Sequence, residues 1–97
     1  MFRRDLAGYA GMLFEWSSPT TDEFYMKNTL IPLSIAWFDQ SGRFVSAADM
    51  PPCPAVTACP LYPAAAPYTI ALEVPQGGLR QLGIGPGTSL ALAGPCR

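Results

Sequence analysis

An alternating apolar segment, followed by a tight turn and a second extended segment, is the feature that most constrains this fold. In residues 31–38, large apolar side chains occupy every second position, which is typical of a strand with one buried face. The polar residues 39–42 form a turn in which Gly42 can adopt a positive φ. Residues 43–49 then return as a second strand. The sequence therefore predicts a β-hairpin, with Pro32 at its entrance because proline donates no ladder hydrogen bond.

Extended segments on both sides of this hairpin indicate a mostly β chain. Residues 11–16 form an apolar and aromatic run that ends in a Ser-Ser-Pro loop, and a further extended stretch begins at residues 24–26. Residues 68–74 alternate again, which places Tyr68, Ile70, Leu72 and Val74 on one face and Glu73 on the other. Each of these segments is predicted as a strand.

The C-terminal part of the chain is predicted to hold one short helix and one last strand. Pro75 can open a helix over residues 76–82, and Gly83 can end it. A Gly-Pro-Gly turn then leads into a strand over residues 88–93. About six short strands with one short helix near the C-terminus predict a small barrel or sandwich, in a single domain spanning residues 1–97.

Composition excludes several classes of partner. Of the 97 residues, 49% are hydrophobic and 13% are charged, a globular balance. A net charge of −1 supplies no basic cluster for phosphates, so neither nucleic acid nor an anionic membrane surface is expected as a partner. No apolar run approaches the ~20 residues of a membrane-spanning helix. The basic start resembles a signal peptide, but Asp5, Gly8 and Glu15 interrupt the required apolar stretch, so no signal peptide is predicted in this chain.

Two of the three cysteines lie in a proline-rich loop over residues 50–67. Five residues separate Cys53 from Cys59, a spacing that can close a disulfide ring worth about 2 kcal/mol. Such a bridge implies an oxidising compartment. The alternatives are two reduced thiols in a cytosolic protein, or a metal site, which is disfavoured because the chain has no histidine to complete the usual four ligands. We predict no metal and no other cofactor, and the sequence assigns no role to Cys96.

Four pieces of the chain form a pattern that runs from end to end. They are Met1-Phe2-Arg3-Arg4 with Gly11-Met12-Leu13-Phe14, the stretch Phe24-Tyr25-Met26-Lys27-Asn28-Thr29-Leu30-Ile31-Pro32-Leu33, Pro52-Cys53 with Cys59-Pro60-Leu61-Tyr62, and Leu72-Glu73-Val74 with Leu82-Gly83-Ile84. In their order and spacing these pieces resemble domain-of-unknown-function family 192, and the Met-Lys-Asn-Thr-Leu-Ile-Pro-Leu segment is very specific to it. The resemblance implies a compact β-rich domain, often found in secreted or periplasmic bacterial proteins, with no established activity.

The chain departs from the family pattern in two side chains and in its start. Tyr25 stands where the family usually has Trp, and Ser34 stands where it usually has Asp. The second change removes a carboxylate, which weakens any proposal that needs an anion at this position. The pattern also continues upstream of Met1 by at least one strand. The resemblance therefore predicts a domain truncated at its N-terminus and a secreted or periplasmic full-length form.

The candidate binding site consists of Tyr25, Lys27, Asn28 and Thr29, with Glu73 as a possible partner. Residues two apart on a strand share a face, so the phenol, ammonium and hydroxyl of Tyr25, Lys27 and Thr29 would project together. These groups, with the amide of Asn28, can hold a carboxylate, a phosphate or a cluster of sugar hydroxyls. The favoured function is therefore non-catalytic binding of a small polar or anionic ligand, sugar-like ones included.

Three other interpretations stay open. Lys27 can pair with Glu73 or Asp49 in a purely structural role, while Asn28 holds the turn. An enzyme, a hydrolase or transferase, would have to use Lys27 as base with Tyr25 or Ser34. This is disfavoured because the chain has no histidine, nucleophile elbow or phosphate loop.

The third interpretation is a protein-interaction module. A sheet that lacks its first strand exposes an unpaired edge, which can recruit another chain and form a homodimer.

The two tryptophans have two possible roles. Trp16 and Trp37 can stack on sugars, but aromatic residues on alternating strands are more often core residues.

The disulfide prediction has a direct test. Denatured but unreduced protein should show one free thiol, that of Cys96, because the bridge consumes Cys53 and Cys59. A chromogenic thiol titration measures this number. A count of three free thiols would refute the bridge.

Overall fold

The computed structural model describes residues 2–5, 11–26, 31–53 and 58–88, with only the backbone described for residues 2–5. Its strands are β1 Phe2–Asp5, β2 Met12–Thr20, β3 Leu33–Phe38, β4 Phe44–Met50 and β5 Tyr68–Pro75, and its helix is α1 Gly78–Gln81. The strands form one antiparallel sheet in the order β1-β2-β5-β3-β4. The prediction of a mostly β fold with one short C-terminal helix is confirmed.

The architecture differs from the predicted barrel or sandwich. In the described residues the strands form a single open sheet, with β1 and β4 at its two edges. Loops cover one face and α1 covers the other, so within the described ranges apolar side chains are buried without a second sheet. The last predicted strand, residues 88–93, lies outside the described residues except for Thr88.

The predicted hairpin is formed by β3 and β4. Gly42 adopts a φ of 84° in the turn. The Asp39 carboxylate oxygen Oδ1 accepts hydrogen bonds from the backbone N–H groups of Ser41 and Arg43, both at 2.9 Å. Pairing runs from Leu33 opposite Met50 to the turn, with a β-bulge near the end of β3. Pro32 lies just before β3, as the sequence predicts.

Strand alternation divides the buried side chains into two cores, one on each face of the sheet. The first core lies under the loops and consists of Met26, Ile35, Trp37, Met50, Cys53, Tyr68 and Ala71. The second core lies under α1 and consists of Ala36, Phe38, Ile70, Leu72 and Val74, with Leu79, Leu82 and Ile84 packed against it. The strand β3, which lies between β5 and β4, contributes to both cores, which explains why its whole length after Leu33 is buried.

An aromatic cluster fills the first core. The ring of Tyr68 lies 5.1 Å from that of Trp16 and 6.1 Å from that of Trp37. The two tryptophans are therefore packed within the protein, as the core interpretation predicts, and Trp37 is only 1% exposed. Tyr68 does not share the face of Ile70, contrary to the alternation of its strand. The register between β2 and β5 shifts close to Tyr68, and such irregularities redirect side chains.

The predicted disulfide closes the loop over the first core. Cys53 and Cys59 are bonded at 2.03 Å, with their Cα atoms 5.9 Å apart. The Cys53 side chain is buried among the residues of the first core. The bridge thus joins the covering loop to the sheet, and it is consistent with an oxidising compartment.

Three glycines shape α1, which is shorter than predicted. Gly77 precedes it at a φ of 91°, and Gly83 follows it at a φ of 73°, conformations that glycine adopts at little cost. Gly78 has a different role, because it lies directly on the sheet. A Cβ atom added there would stand 2.9 Å from Cγ2 of Val74 and 3.0 Å from its Cβ. The absence of a side chain at Gly78 therefore allows the helix to approach β5.

Substituting Gly78 by alanine should destabilise the domain, because Val74 is stiff and cannot move aside. We expect Gly78→Ala to lower the free energy of unfolding by about 1–2 kcal/mol in urea denaturation. Gly85→Ala is the control, since nothing lies within 4 Å of its added Cβ. The loss should shrink in a Val74→Ala background. An equal loss for Gly78→Ala in both backgrounds would contradict this account of the packing.

The phenol of Tyr68 forms a hydrogen bond with the segment that links β2 to Phe24. Its hydroxyl donates a 2.6 Å hydrogen bond to the backbone carbonyl of Asp22. Burial raises the pKa of Tyr68 from 10.0 to about 12, the negative charge of Asp22 acts in the same direction, and the indole of Trp37 acts against them. Trp37 lowers the pKa of Tyr68, and this is the weakest of the three effects, because Nε1 of Trp37 makes no hydrogen bond of ordinary geometry. The protonated phenol is thus held inside the fold.

This pKa predicts a loss of stability in alkali. The folded state binds the Tyr68 proton more tightly than the unfolded state, so the stabilisation is complete below pH 10 and is lost as the pH rises to about 12. The effect is on the order of 2 kcal/mol. Urea denaturation at several pH values should show a shallower alkaline decline for Tyr68→Phe, and an unchanged one for the exposed control Tyr25→Phe. Identical declines in Tyr68→Phe and the unsubstituted protein would refute this origin.

Candidate functional site

The structure does not test most of the predicted site. Lys27, Asn28 and Thr29 lie outside the described residues. Tyr25 is 58% exposed and follows Phe24, which forms an isolated bridge with Tyr62 over the first core. Their role in binding stays a prediction.

Glu73 is half-buried on β5. The register places it opposite Ile35 of β3, and side chains directly opposite each other share a face. Glu73 therefore projects from the face of the first core.

A cavity of about 340 Å³ lies on the other face, where β3 begins and β4 ends. It is lined by Ser34, Asp49, Gln76, Gly77, Leu79 and Arg80. These residues come from β3, β4, the turn after β5, and α1. The hollow is thus a product of the hairpin register and of the helix that packs beside it.

A partly buried hydrogen bond forms one wall of this cavity. Ser34 is 2% exposed, and its hydroxyl donates to Oδ1 of Asp49 at 2.7 Å. The two residues are directly opposite in the pairing of β3 with β4, so both side chains project from the same face. A hydrogen bond to a charged acceptor is stronger than a neutral one, and it fixes the orientation of the carboxylate. Asp49 itself is exposed.

This arrangement bears on one inference from the sequence. Serine at position 34 removes a carboxylate from that position and weakens proposals that need an anion there. The structure supplies a carboxylate from the neighbouring strand, because the register brings Asp49 next to Ser34. An anion therefore lies within one hydrogen bond of this position.

The opposite side of the cavity is formed by α1 and the turn before it. Leu79 packs against the second core, which orients the short helix and exposes Arg80. The backbone N–H of Gln76 donates to the carbonyl of Pro32 at 3.1 Å. This bond ties the turn to the entrance of β3. Polar groups of the β3–β4 pair and of the turn after β5 are thereby held around one cavity.

The charges at the cavity are not neutralised by each other. Across the described ranges, neither Asp49 nor Arg80 forms an ion pair within 4.0 Å, in contrast to Arg43 and Asp39 at 3.7 Å. The cavity thus presents a carboxylate, a guanidinium and a primary amide, with Leu79 as an apolar surface. Such a set can recognise a small polar molecule by charge and by hydrogen bonds.

Sequence reasoning did not predict that Asp49, Gln76 and Arg80 line one cavity. The position of the hairpin turn could have indicated part of this arrangement. Pairing residues outward from the turn would place Ser34 opposite a residue close to Asp49. The β-bulge near the end of β3 shifts this pairing by one position, and no pattern of residues in the sequence predicts the bulge. Nothing local indicated that α1 would bring Arg80 to the same place.

Among the described residues there is no group of three or more metal-ligating side chains. No helix in the described part of the chain is long and apolar enough to cross a membrane.

Comparison with solved structures finds two similar proteins. A protein of unknown function from Novosphingobium aromaticivorans DSM 12444 is 35% identical with a TM-score of 0.70, and the match covers 92% of this chain and 61% of that one. A protein from Sinorhizobium meliloti 1021, described as a proposed transcription regulator, is 28% identical with a TM-score of 0.70, and the match covers 94% of this chain and 68% of that one. The chain thus spans about two thirds of the length of these structures.

Sequence comparison identifies the family. No curated protein matches the chain. The profile of DUF192, described as Uncharacterized ACR, matches residues 1–92. Because this match covers nearly the whole sequence, the chain belongs to the DUF192 family, for which no function is established.

Proposed function

We propose that this domain binds a small polar ligand, without transforming it, in the cavity between the β3–β4 pair and α1. The cavity itself carries the proposal. Its volume of about 340 Å³ falls within the range of small-molecule sites, roughly 300–1,000 Å³. Its lining combines a few polar groups with the apolar Leu79, the composition that such sites usually have.

Preorganisation of Asp49 supports binding. Ser34 holds Oδ1 of the carboxylate, and no other hydrogen bond to this side chain occurs among the described residues. Oδ2 therefore remains available to a ligand in a defined orientation. Since the side chain is already ordered, less conformational entropy is lost when a ligand binds.

We extend the site to Lys27 and Asn28, the polar residues predicted from the sequence. The segment that contains them enters β3 through Pro32, whose carbonyl is bonded to Gln76 of the cavity lining. The ammonium of Lys27 and the amide of Asn28 are proposed as further donors for the ligand. Glu73 is not part of the proposed site, because it projects from the opposite face of the sheet.

The enzymatic alternative has less support from the described residues. Ser34 is deeply buried, and its hydroxyl proton is directed to Asp49 rather than into solvent. The interaction module also gains no specific support at β4, because the Phe44 N–H of this edge strand is already bonded to the carbonyl of Thr88 at 2.9 Å. Non-catalytic binding therefore remains the favoured function, and the cavity is its proposed site.

Titration with a ligand panel tests the proposal. We expect neutral sugars, small carboxylates and amino acids to include at least one compound that shifts the NMR signals of Ser34, Asp49 and Arg80. Asp49→Asn and Arg80→Gln should each weaken that binding about fivefold, since an exposed ion pair or hydrogen bond contributes roughly 1 kcal/mol. Asp49→Asn keeps an oxygen for the Ser34 hydroxyl, so the fold should be retained.

Two controls accompany this experiment. Arg43→Gln removes an exposed arginine in the hairpin turn and should leave affinity unchanged. Lys27→Met tests the extension of the site and should also weaken binding. Ligand-induced shifts that are confined to residues outside the cavity, or an effect of Arg43→Gln equal to that of Arg80→Gln, would contradict the proposed site.

A further inference from the structure

We infer that the ligand is a small zwitterion that places an ammonium group against Asp49 and a carboxylate against Arg80. This inference rests on the proposed function and names the chemical class of its ligand. It is carried by one observation. A carboxylate and a guanidinium line the same cavity, yet the described structure shows no ion pair between them.

The pair of opposite charges discriminates against ligands with one charge. An anion attracted by Arg80 is repelled by Asp49, and a cation attracted by Asp49 is repelled by Arg80. A neutral ligand satisfies hydrogen bonds but displaces water from both charged groups without replacing their charge interactions. A zwitterion complements both ends of the site at once.

The hydrogen bond of Ser34 assigns a direction to this recognition. Ser34 occupies Oδ1 of Asp49, so Oδ2 is the oxygen left to accept from an ammonium group. Arg80, on α1, lines the same cavity as the end of β4, and its planar fork can donate two hydrogen bonds to a carboxylate. The ammonium end of the ligand therefore points to the strands and its carboxylate end to the helix.

The remaining lining fits the middle of such a molecule. Leu79 offers an apolar surface for a short carbon chain, and Gln76 offers an amide that can donate or accept a hydrogen bond. The chemical class is thus a small amino acid, with its two charged groups separated by one or a few carbon atoms. The width of the cavity would select that separation.

A series of ω-amino acids tests the inference. Glycine, β-alanine and γ-aminobutyric acid differ only in the separation of their charges, and the intact protein is titrated with each by NMR. We expect one member to bind best. Its N-acetyl derivative, which lacks the ammonium, and its carboxamide, which lacks the carboxylate, should each bind about fivefold more weakly.

Two variants connect each end of the ligand to its residue. In Asp49→Asn, the amino acid and its N-acetyl derivative should bind equally well, while the carboxamide remains weaker. In Arg80→Gln, the amino acid and its carboxamide should bind equally well, while the N-acetyl derivative remains weaker. Arg43→Gln is the matched control and should preserve both differences. A purely structural role of either residue would weaken all three compounds by the same factor.

The outcomes separate this inference from the proposed function. Equal binding of the amino acid and both derivatives to the unsubstituted protein overturns the zwitterion. Binding of glucose or acetate at the cavity, with no response to any amino acid, overturns it too but leaves the proposed binding function intact. Signals of Ser34, Asp49, Gln76 and Arg80 that respond to no probe count against both.

Discussion

The pairing of β3 with both of its neighbours is the constraint on which the rest of this structure depends. β3 lies between β4 and β5, and its register on each strand decides which side chains meet on each face. The same register brings Ser34 to Asp49 and directs Ile35 into the first core. A shift by one residue would exchange the two faces. Core formation and the geometry of the cavity are therefore two results of one set of hydrogen bonds.

The two faces of the sheet are covered by different elements. The first core holds the aromatic cluster and is covered by a loop that a disulfide holds in place. The second core positions α1, whose close approach depends on Gly78. A helix of four residues has little stability by itself, so Leu79 and its neighbours must hold it through packing. The position of α1 at the cavity thus depends on the apolar contacts beneath the helix.

Local sequence signals predicted the elements well and their assembly poorly. The alternation before Gly42 and the turn residues predicted the hairpin, and the spacing of Cys53 and Cys59 predicted the disulfide. The barrel or sandwich was wrong for the described residues, because strand count does not say whether a sheet closes. Tyr68 was assigned to the wrong face, since a register irregularity changes the direction of a side chain without a residue pattern that marks it. At the proposed site, Ser34 was identified from the sequence as a departure from the family pattern, but Asp49 was not identified as its carboxylate partner.

The sequence by itself determined that this chain forms a mostly β domain of the DUF192 type, with a hairpin, a cysteine-bridged loop and a short C-terminal helix. These features depend on residues that are near one another in the chain, where alternation, turn chemistry and spacing act directly. Only the tertiary structure decided that Asp49 and Arg80 line one cavity. They are separated by many residues and belong to different elements, and the strand register and helix packing that bring them together arise from contacts spread over the whole sheet.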